Sequence, residues 1–173
     1  GVRSTGSDVA SIVYTGLYAL QHRGQESCGI AINDDGVITG HKGLRLVSEV
    51  FSKDVLEKLP GGNMAIGHCR YSTTGGLSVE NAQPLVIRHI KGTMAIAHNG
   101  NLTNAAKLKE ELELTGAIFH TTSDTEVIAH TIIRERLVSD SIEEAISRAM
   151  TKIQGAYSLV IMSPKKLIAV RDP

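Results

Sequence analysis

Four polar clusters interrupt the apolar patterning of this chain, and chemistry would sit there. They are Gln21-His22-Arg23-Gly24-Gln25-Glu26, His68-Cys69-Arg70-Tyr71-Ser72-Thr73-Thr74-Gly75-Gly76, His98-Asn99-Gly100-Asn101 and Thr121-Thr122-Ser123-Asp124-Thr125-Glu126. Rigid scaffolds present functional groups on loops at strand ends and helix starts. The thiols are the first nucleophiles to weigh. Cys69 stands beside His68, which suggests a Cys–His pair, but neighbours on a strand point to opposite faces. Cys28 lies in an apolar run, where a free cysteine serves as a small buried hydrophobe. Neither thiol is expected to be catalytic. The seven histidines contain no helical His-x-x-x-His pair, and no phosphate-binding or dinucleotide-binding glycine pattern occurs. No metal or nucleotide cofactor is expected in these residues.

Each cluster also has a plain reading. Asn99-Gly100 is a turn, since both residues tolerate positive φ. Ser123-Asp124 caps a helix, with Asp124 favoured by the helix dipole. Arg70 is a surface strand residue, and Arg23 pairs with Glu26 for solubility. Taken singly these readings suffice. All four clusters in one chain and in this order are hard to assign to chance.

The elements that must position them are of both kinds. Val9, Ile12, Val13, Leu17 and Leu20 recur at helical spacing, predicting a helix over 8–21 that Gly24 stops. Residues 28–33 and 37–41 flank Asp34-Asp35-Gly36 as a hairpin. Val50, Phe51, Val55 and Leu59 predict one short helix before Pro60-Gly61-Gly62. Strands are expected at 64–71, 85–90 and 93–98, with a turn at Lys91-Gly92. A helix over 102–114 ends at Gly116. Ser123 with Glu126, and Ser141 with Glu144, read as capping boxes that open two more helices. Strands over 156–162 and 166–171 close the chain. Hairpins at both ends and helices in groups predict an α+β fold with largely antiparallel sheet.

The chain has 173 residues, enough for one domain with one core, and this reading assigns residues 1–173 to a single domain. Lys plus Arg and Asp plus Glu number 18 each, so charge gives no reason to expect nucleic acid or an anionic membrane as partner. Aromatics are 3%, too few for base-stacking platforms. No apolar run approaches the roughly 20 residues of a membrane span, and no signal peptide is visible. Free thiols fit a cytoplasmic location.

HRGQES, GHCRYSTTGG, AHNGNL, TTSDTEVIAH, QGAYSLVIM and the final RDP together resemble the glutaminase domain of the amidophosphoribosyltransferases, over residues 11–173 and in family order. Glucosamine-6-phosphate synthases, with wording like RGYDS and RWATHG at the first two sites, fit less well. The resemblance implies a four-layer α-β-β-α sandwich of the N-terminal-nucleophile hydrolase type, a class II glutamine amidotransferase. It implies hydrolysis of glutamine to glutamate and delivery of ammonia to phosphoribosyl pyrophosphate. The product would be 5-phosphoribosylamine, at the first step of de novo purine synthesis, made on a phosphoribosyltransferase domain expected after residue 173. Asn99, through its amide, and Gly100, through its N–H, match the family's oxyanion hole, where two fixed donors supply several kcal/mol. Arg70 matches the residue that grips glutamine's α-carboxylate, and Asp124 the acid that holds its α-ammonium. Tyr71 and Thr73 would shape the same pocket, and Arg23 and Gly24 would lie near the nucleophile. That nucleophile is the family's opening cysteine, with its own α-amino group as base. It is expected a few residues before Gly1, so these 173 residues alone should be inactive. The full-length protein is expected to use magnesium and, as in some relatives, an iron–sulfur cluster, whose four thiolates two cysteines cannot supply. It is also expected to form a homo-oligomer. The competing reading is a glutamine-binding or regulatory module that kept the pocket and lost the nucleophile; a third is a purely structural domain.

Overall fold

A computed structural model describes residues 1–23, 26–71 and 78–172, with the backbone only at Arg23. The expected stop at Gly24 and the pocket residue Thr73 lie outside these residues. The chain forms strands β1 (Val2–Arg3), β2 (Ser27–Asp34), β3 (Val37–Leu44), β4 (Met64–Arg70), β5 (Leu85–His89), β6 (Gly92–Leu102), β7 (Gly155–Met162) and β8 (Leu167–Arg171). The helices are α1 (Val9–Leu20), α2 (Val47–Val50), α3 (Lys53–Lys58), α4 (Ala105–Glu113), α5 (Asp124–Arg136) and α6 (Ile142–Met150). Single 3-10 turns occur at Gln21–Arg23 and Val79–Asn81.

The strands form two antiparallel sheets of order β1-β4-β2-β3 and β5-β6-β7-β8. Alternation gives each sheet two apolar faces. The facing sides meet through Ala31, Ile38, Met64, Ile66, Ala95, Ala97 and Met162. On the outer side of the first sheet, Cys28, Ile30, Ile32 and Ala65 pack under Val9, Val13 and Leu17 of α1. On the outer side of the second, Met94, Ile96, Leu159 and Ile161 pack under Val127, Ile128 and Ile132 of α5 and Ile146 of α6. The result is helix, sheet, sheet, helix, the layering that the resemblance implied. Among the described residues no helix is long and apolar enough to cross a membrane.

Local physics explains where elements follow the sequence pattern and where they depart. Asp35 (φ 47°) and Gly36 (φ 92°) supply the two positive angles of a tight hairpin turn. Asp8 caps α1, accepting the N–H groups of Ala10 and Ser11. The buried stripe of α1 is Val9, Ala10, Val13 and Leu17, whereas Ile12 and Leu20 are about half exposed. The single helix expected around residues 50–59 is two, because Phe51 leaves helical geometry to bury its ring. β1 carries no periodic signal, being two residues long.

The strand expected over 93–98 runs on to Leu102, so Asn99-Gly100 is not a turn. Both residues are paired within the sheet, Asn99 opposite Ser158 and Gly100 opposite Tyr157. The capping box at Ser123 is half formed. Its hydroxyl accepts the Thr125 N–H, but the Glu126 carboxylate reaches past the cap to the N–H groups of His120 and Thr121. At α6, Ser141 accepts the Glu144 N–H while Glu144 accepts that of Asp140.

Candidate active site

β4 carries Arg70 to the end of the first sheet. A Cβ on Gly67 would lie 2.5 Å from Val13 Cγ1, so odd residues of β4 face α1. The Cys69 thiol accordingly donates to the Leu17 carbonyl at 3.7 Å. Ile66, His68 and Arg70 take the other face, toward the second sheet. Cys69 and His68 therefore diverge, as adjacent strand residues must. Cys28 stands directly opposite Cys69. Burial pushes the Cys28 thiol up to about 12, with Cys69 nearby adding to the effect, and burial pushes Cys69 up to about 11. Both are protonated near neutrality and weak as nucleophiles. Two thiols also offer half the donor set of an iron–sulfur cluster, so none fits here. Among the described residues no group of three or more His, Cys, Asp or Glu is arranged to hold a metal.

β6 brings Asn99 and Gly100 to the same end of the sandwich. β5 stops at Leu85, opposite Ile96, so beyond that point β6 has β7 on one side only. Its open edge is held by side chains. The His98 N–H donates to Gln83 Oε1 at 2.6 Å, and the Leu102 N–H donates to Asp124 Oδ2 at 3.0 Å. A cleft of 740 Å³ opens along this edge, and Arg70, Tyr71, Asn99, Gly100 and Asp124 all line it. The structure thus brings together five of the residues singled out by sequence. Tyr71 is exposed at 68% and Asn99 is exposed, so both are available to a ligand.

Asp124 is the first residue of α5, next to the Ser123 cap. Its Oδ1 lies 3.4 Å from His98 Nδ1, which is also 3.2 Å from the Thr125 hydroxyl. Burial pushes the Asp124 carboxyl up, but hydrogen bonds from His98 and the Leu102 N–H outweigh it, and the group titrates below its ordinary value. It is therefore an anion near neutrality, set in the cleft wall. The preceding segment is pinned twice. Glu126, buried, accepts the N–H groups of His120 and Thr121, and Asn81 exchanges two 3.0 Å bonds with Thr122. Gln83, Asn81, His98 and Glu126 were not read as site residues from sequence. No local sequence pattern marks the first two, whose roles follow from where β5 gives way at the edge of β6.

His68 is a half-buried polar group under the cleft. Its Nδ1 and the Nε2 of His98 find no partner among the described residues. Burial, opposed by a hydrogen bond to the His98 backbone, pushes the His68 imidazole down to about 4 from 6.5. Between these values the unfolded chain holds a proton on this ring that the folded chain lacks. Stability must then fall as pH drops through that window, by up to about 3 kcal/mol at its lower end. Replacing His68 by glutamine is expected to shrink the shift in urea midpoint between about pH 7 and pH 4.5. An unchanged shift would mean that other groups drive acid unfolding.

Comparison with known proteins agrees with this geometry. Residues 68–173 match a family described as a glutamine amidotransferase domain. The chain is 51% identical over 166 residues to an amidophosphoribosyltransferase of Methanocaldococcus jannaschii, and 46% identical over 167 residues to one of Bacillus subtilis. Each alignment takes in 96% of this chain but 35% and 34% of the relative, so the chain spans about a third of the length of these curated proteins. Among solved structures it is similar to the glutamine phosphoribosylpyrophosphate amidotransferase of B. subtilis complexed with ADP and GMP. The TM-score is 0.87 at 43% identity, over 98% of this chain and 36% of that one. A protein from Pseudomonas aeruginosa described as a predicted glutamine amidotransferase, at 15% identity and TM-score 0.57 over 84% of this chain and 60% of that one, shares the fold. Fold, cleft and family match point the same way: the chain belongs to the glutamine amidotransferase domain family.

Proposed function

We propose that this chain is the glutaminase domain of an amidophosphoribosyltransferase, hydrolysing glutamine and passing ammonia to phosphoribosyl pyrophosphate on an attached phosphoribosyltransferase domain. One observation carries the reading: Arg70, Asp124 and Asn99-Gly100, from three separate elements, line one cleft. The guanidinium fork suits the α-carboxylate of an amino acid and the Asp124 anion suits its α-ammonium. Held at that end, glutamine would reach its side-chain amide toward Asn99 and Gly100. Strand alternation aims the Gly100 N–H along the same edge as those of His98 and Leu102, where it would meet a developing oxyanion.

The nucleophile in this reading is a cysteine preceding Gly1, with its α-amino group as base. The sheet register supports that placement. β1 runs antiparallel to β4 with Val2 opposite Ala65 and Arg3 opposite Met64. Each step back along β1 moves one residue forward along β4. A chain continued before Gly1 would reach Gly67 first and Arg70 at its fourth residue, which lands at the cleft. There the thiol would attack the amide carbon, ammonia would leave, and water would release glutamate from the thioester.

The test is glutamate release by the intact protein, with Arg70→Ala and Asp124→Asn beside the wild type. Each loses charge-assisted bonds of roughly 1.5–3 kcal/mol, so KM should rise about 10- to 100-fold with a smaller change in kcat. Unchanged KM in both would overturn the pocket assignment. Glutamine binding without hydrolysis by the wild type would favour the binding-module reading instead.

A further inference from the structure

A side chain stands where a strand should continue. The register of β5 and β6 pairs Leu85 with Ile96, and two residues further it would set Gln83 opposite His98. The backbone does not make that pair. Pro84 has no N–H to give, and the Gln83 carbonyl turns toward β2, where a Cβ on Gly29 would overlap it. The ladder bond is made by the Gln83 side chain, whose Oε1 accepts the His98 N–H at 2.6 Å. Gln83 is 5% exposed, and its neighbour Ala82 is fully buried, so it is placed with little freedom. The His98 imidazole is held as well, its Nδ1 lying 3.2 Å from the Thr125 hydroxyl. Side chains thus hold the residue from which Asn99 and Gly100 emerge. A continued β5 would also hold it, but would cover the edge on which the cleft opens.

We propose that Gln83 is a positioning residue for the glutaminase reaction: its side-chain carbonyl replaces the missing strand and fixes the backbone that presents Asn99 and Gly100. This rests on the reading of the cleft given above. Gln83 acts through His98, so its loss disturbs the oxyanion donors and leaves the Arg70 and Asp124 grip on the amino-acid end in place. The signature is a fall in kcat with KM little changed. A residue that only satisfied a buried N–H would cost stability, about 1–3 kcal/mol, without that split.

The experiment compares the intact wild-type protein with Gln83→Glu and Gln83→Leu. Glutamate keeps an acceptor oxygen at the same reach and should stay within about threefold of wild-type kcat. Leucine has similar bulk and no acceptor, and should lower kcat about tenfold or more with KM within about threefold. Hydrogen exchange on the same proteins reads the cause: amides 98–100 should lose protection in Gln83→Leu and keep it in Gln83→Glu. Equal kcat in all three proteins, equal losses in both variants, or an effect confined to KM would overturn the proposal. If Gln83→Leu does not fold, Gln83→Met takes its place under the same criteria. A wild-type protein that releases no glutamate would overturn the function. The exchange comparison would still decide whether Gln83 holds β6.

Discussion

Gly100→Ala is expected to destabilise the protein by about 3 kcal/mol or more and to remove glutaminase activity even in molecules that fold. Gly100 has φ 147°, a conformation L residues rarely adopt. A Cβ there would overlap the Ala156 carbonyl and lie 2.7 Å from Tyr157 Cα, both backbone atoms of β7. Retreat of β7 is opposed on its far side, where the Tyr157 carbonyl accepts the Asp172 N–H at 2.9 Å and the ladder to β8 starts at Ser158. Gly155 makes the reciprocal contact: it has φ 136°, and a Cβ on it would lie 2.9 Å from Leu102 Cα. The two strands press together at a pair of glycines, which sets how far Gly100 stands back from the cleft. Relief of the clash must move the N–H proposed as an oxyanion donor. Urea unfolding and glutamate release on the intact protein check both halves. Gly16→Ala, at an exposed site of α1 with nothing within 4 Å of the new methyl, is the control and should be neutral or slightly stabilising. A Gly100→Ala protein as stable and active as that control would show that β6 and β7 part freely here.

The same glycine shows what was and was not legible in the sequence. The motif at 98–101 marks the site, but a turn was the plainer local reading of Asn99-Gly100. Both residues tolerate positive φ, which Gly100 does adopt, and the apolar strand pattern ends at His98. What overrode that reading was β7, more than fifty residues away, whose pairing no local pattern reports. Asp124 was legible as an acid in the first turn of a helix, beside its cap, and it is one. Its bonds to Leu102 and His98, which make it part of the cleft, depend on α5 meeting the end of β6. Glu126 misled for a related reason: the spacing of a capping box was present, while the carboxylate found better donors upstream in His120 and Thr121. Gln83 carried no signal at all, because its role follows from where β5 stops. The layers themselves were reached through resemblance. Alternation predicts strands with buried faces, but not which face meets a helix and which a second sheet.

Asn99→Ala should separate chemistry from stability as cleanly as Gly100→Ala entangles them. Asn99 is exposed, on the cleft side of β6, and follows Ala95 and Ala97 onto the face that meets the first sheet. Arg70 follows Ile66 onto the opposing face. The two residues therefore look toward each other's sheet at one end of the sandwich. An exposed strand position away from caps and core changes stability by about 0.5 kcal/mol or less when truncated. Removing an oxyanion donor instead lowers kcat by roughly 10²–10³-fold. Because the amide would bond strongly only to the charge that develops during attack, KM should barely move. Asn99→Asp sharpens the test. It preserves size and adds a carboxylate where negative charge must accumulate, so it should be at least as slow as Asn99→Ala. If Asn99→Asp retained wild-type kcat, no oxyanion would form against this residue. The acyl transfer would then have to be stabilised elsewhere in the cleft.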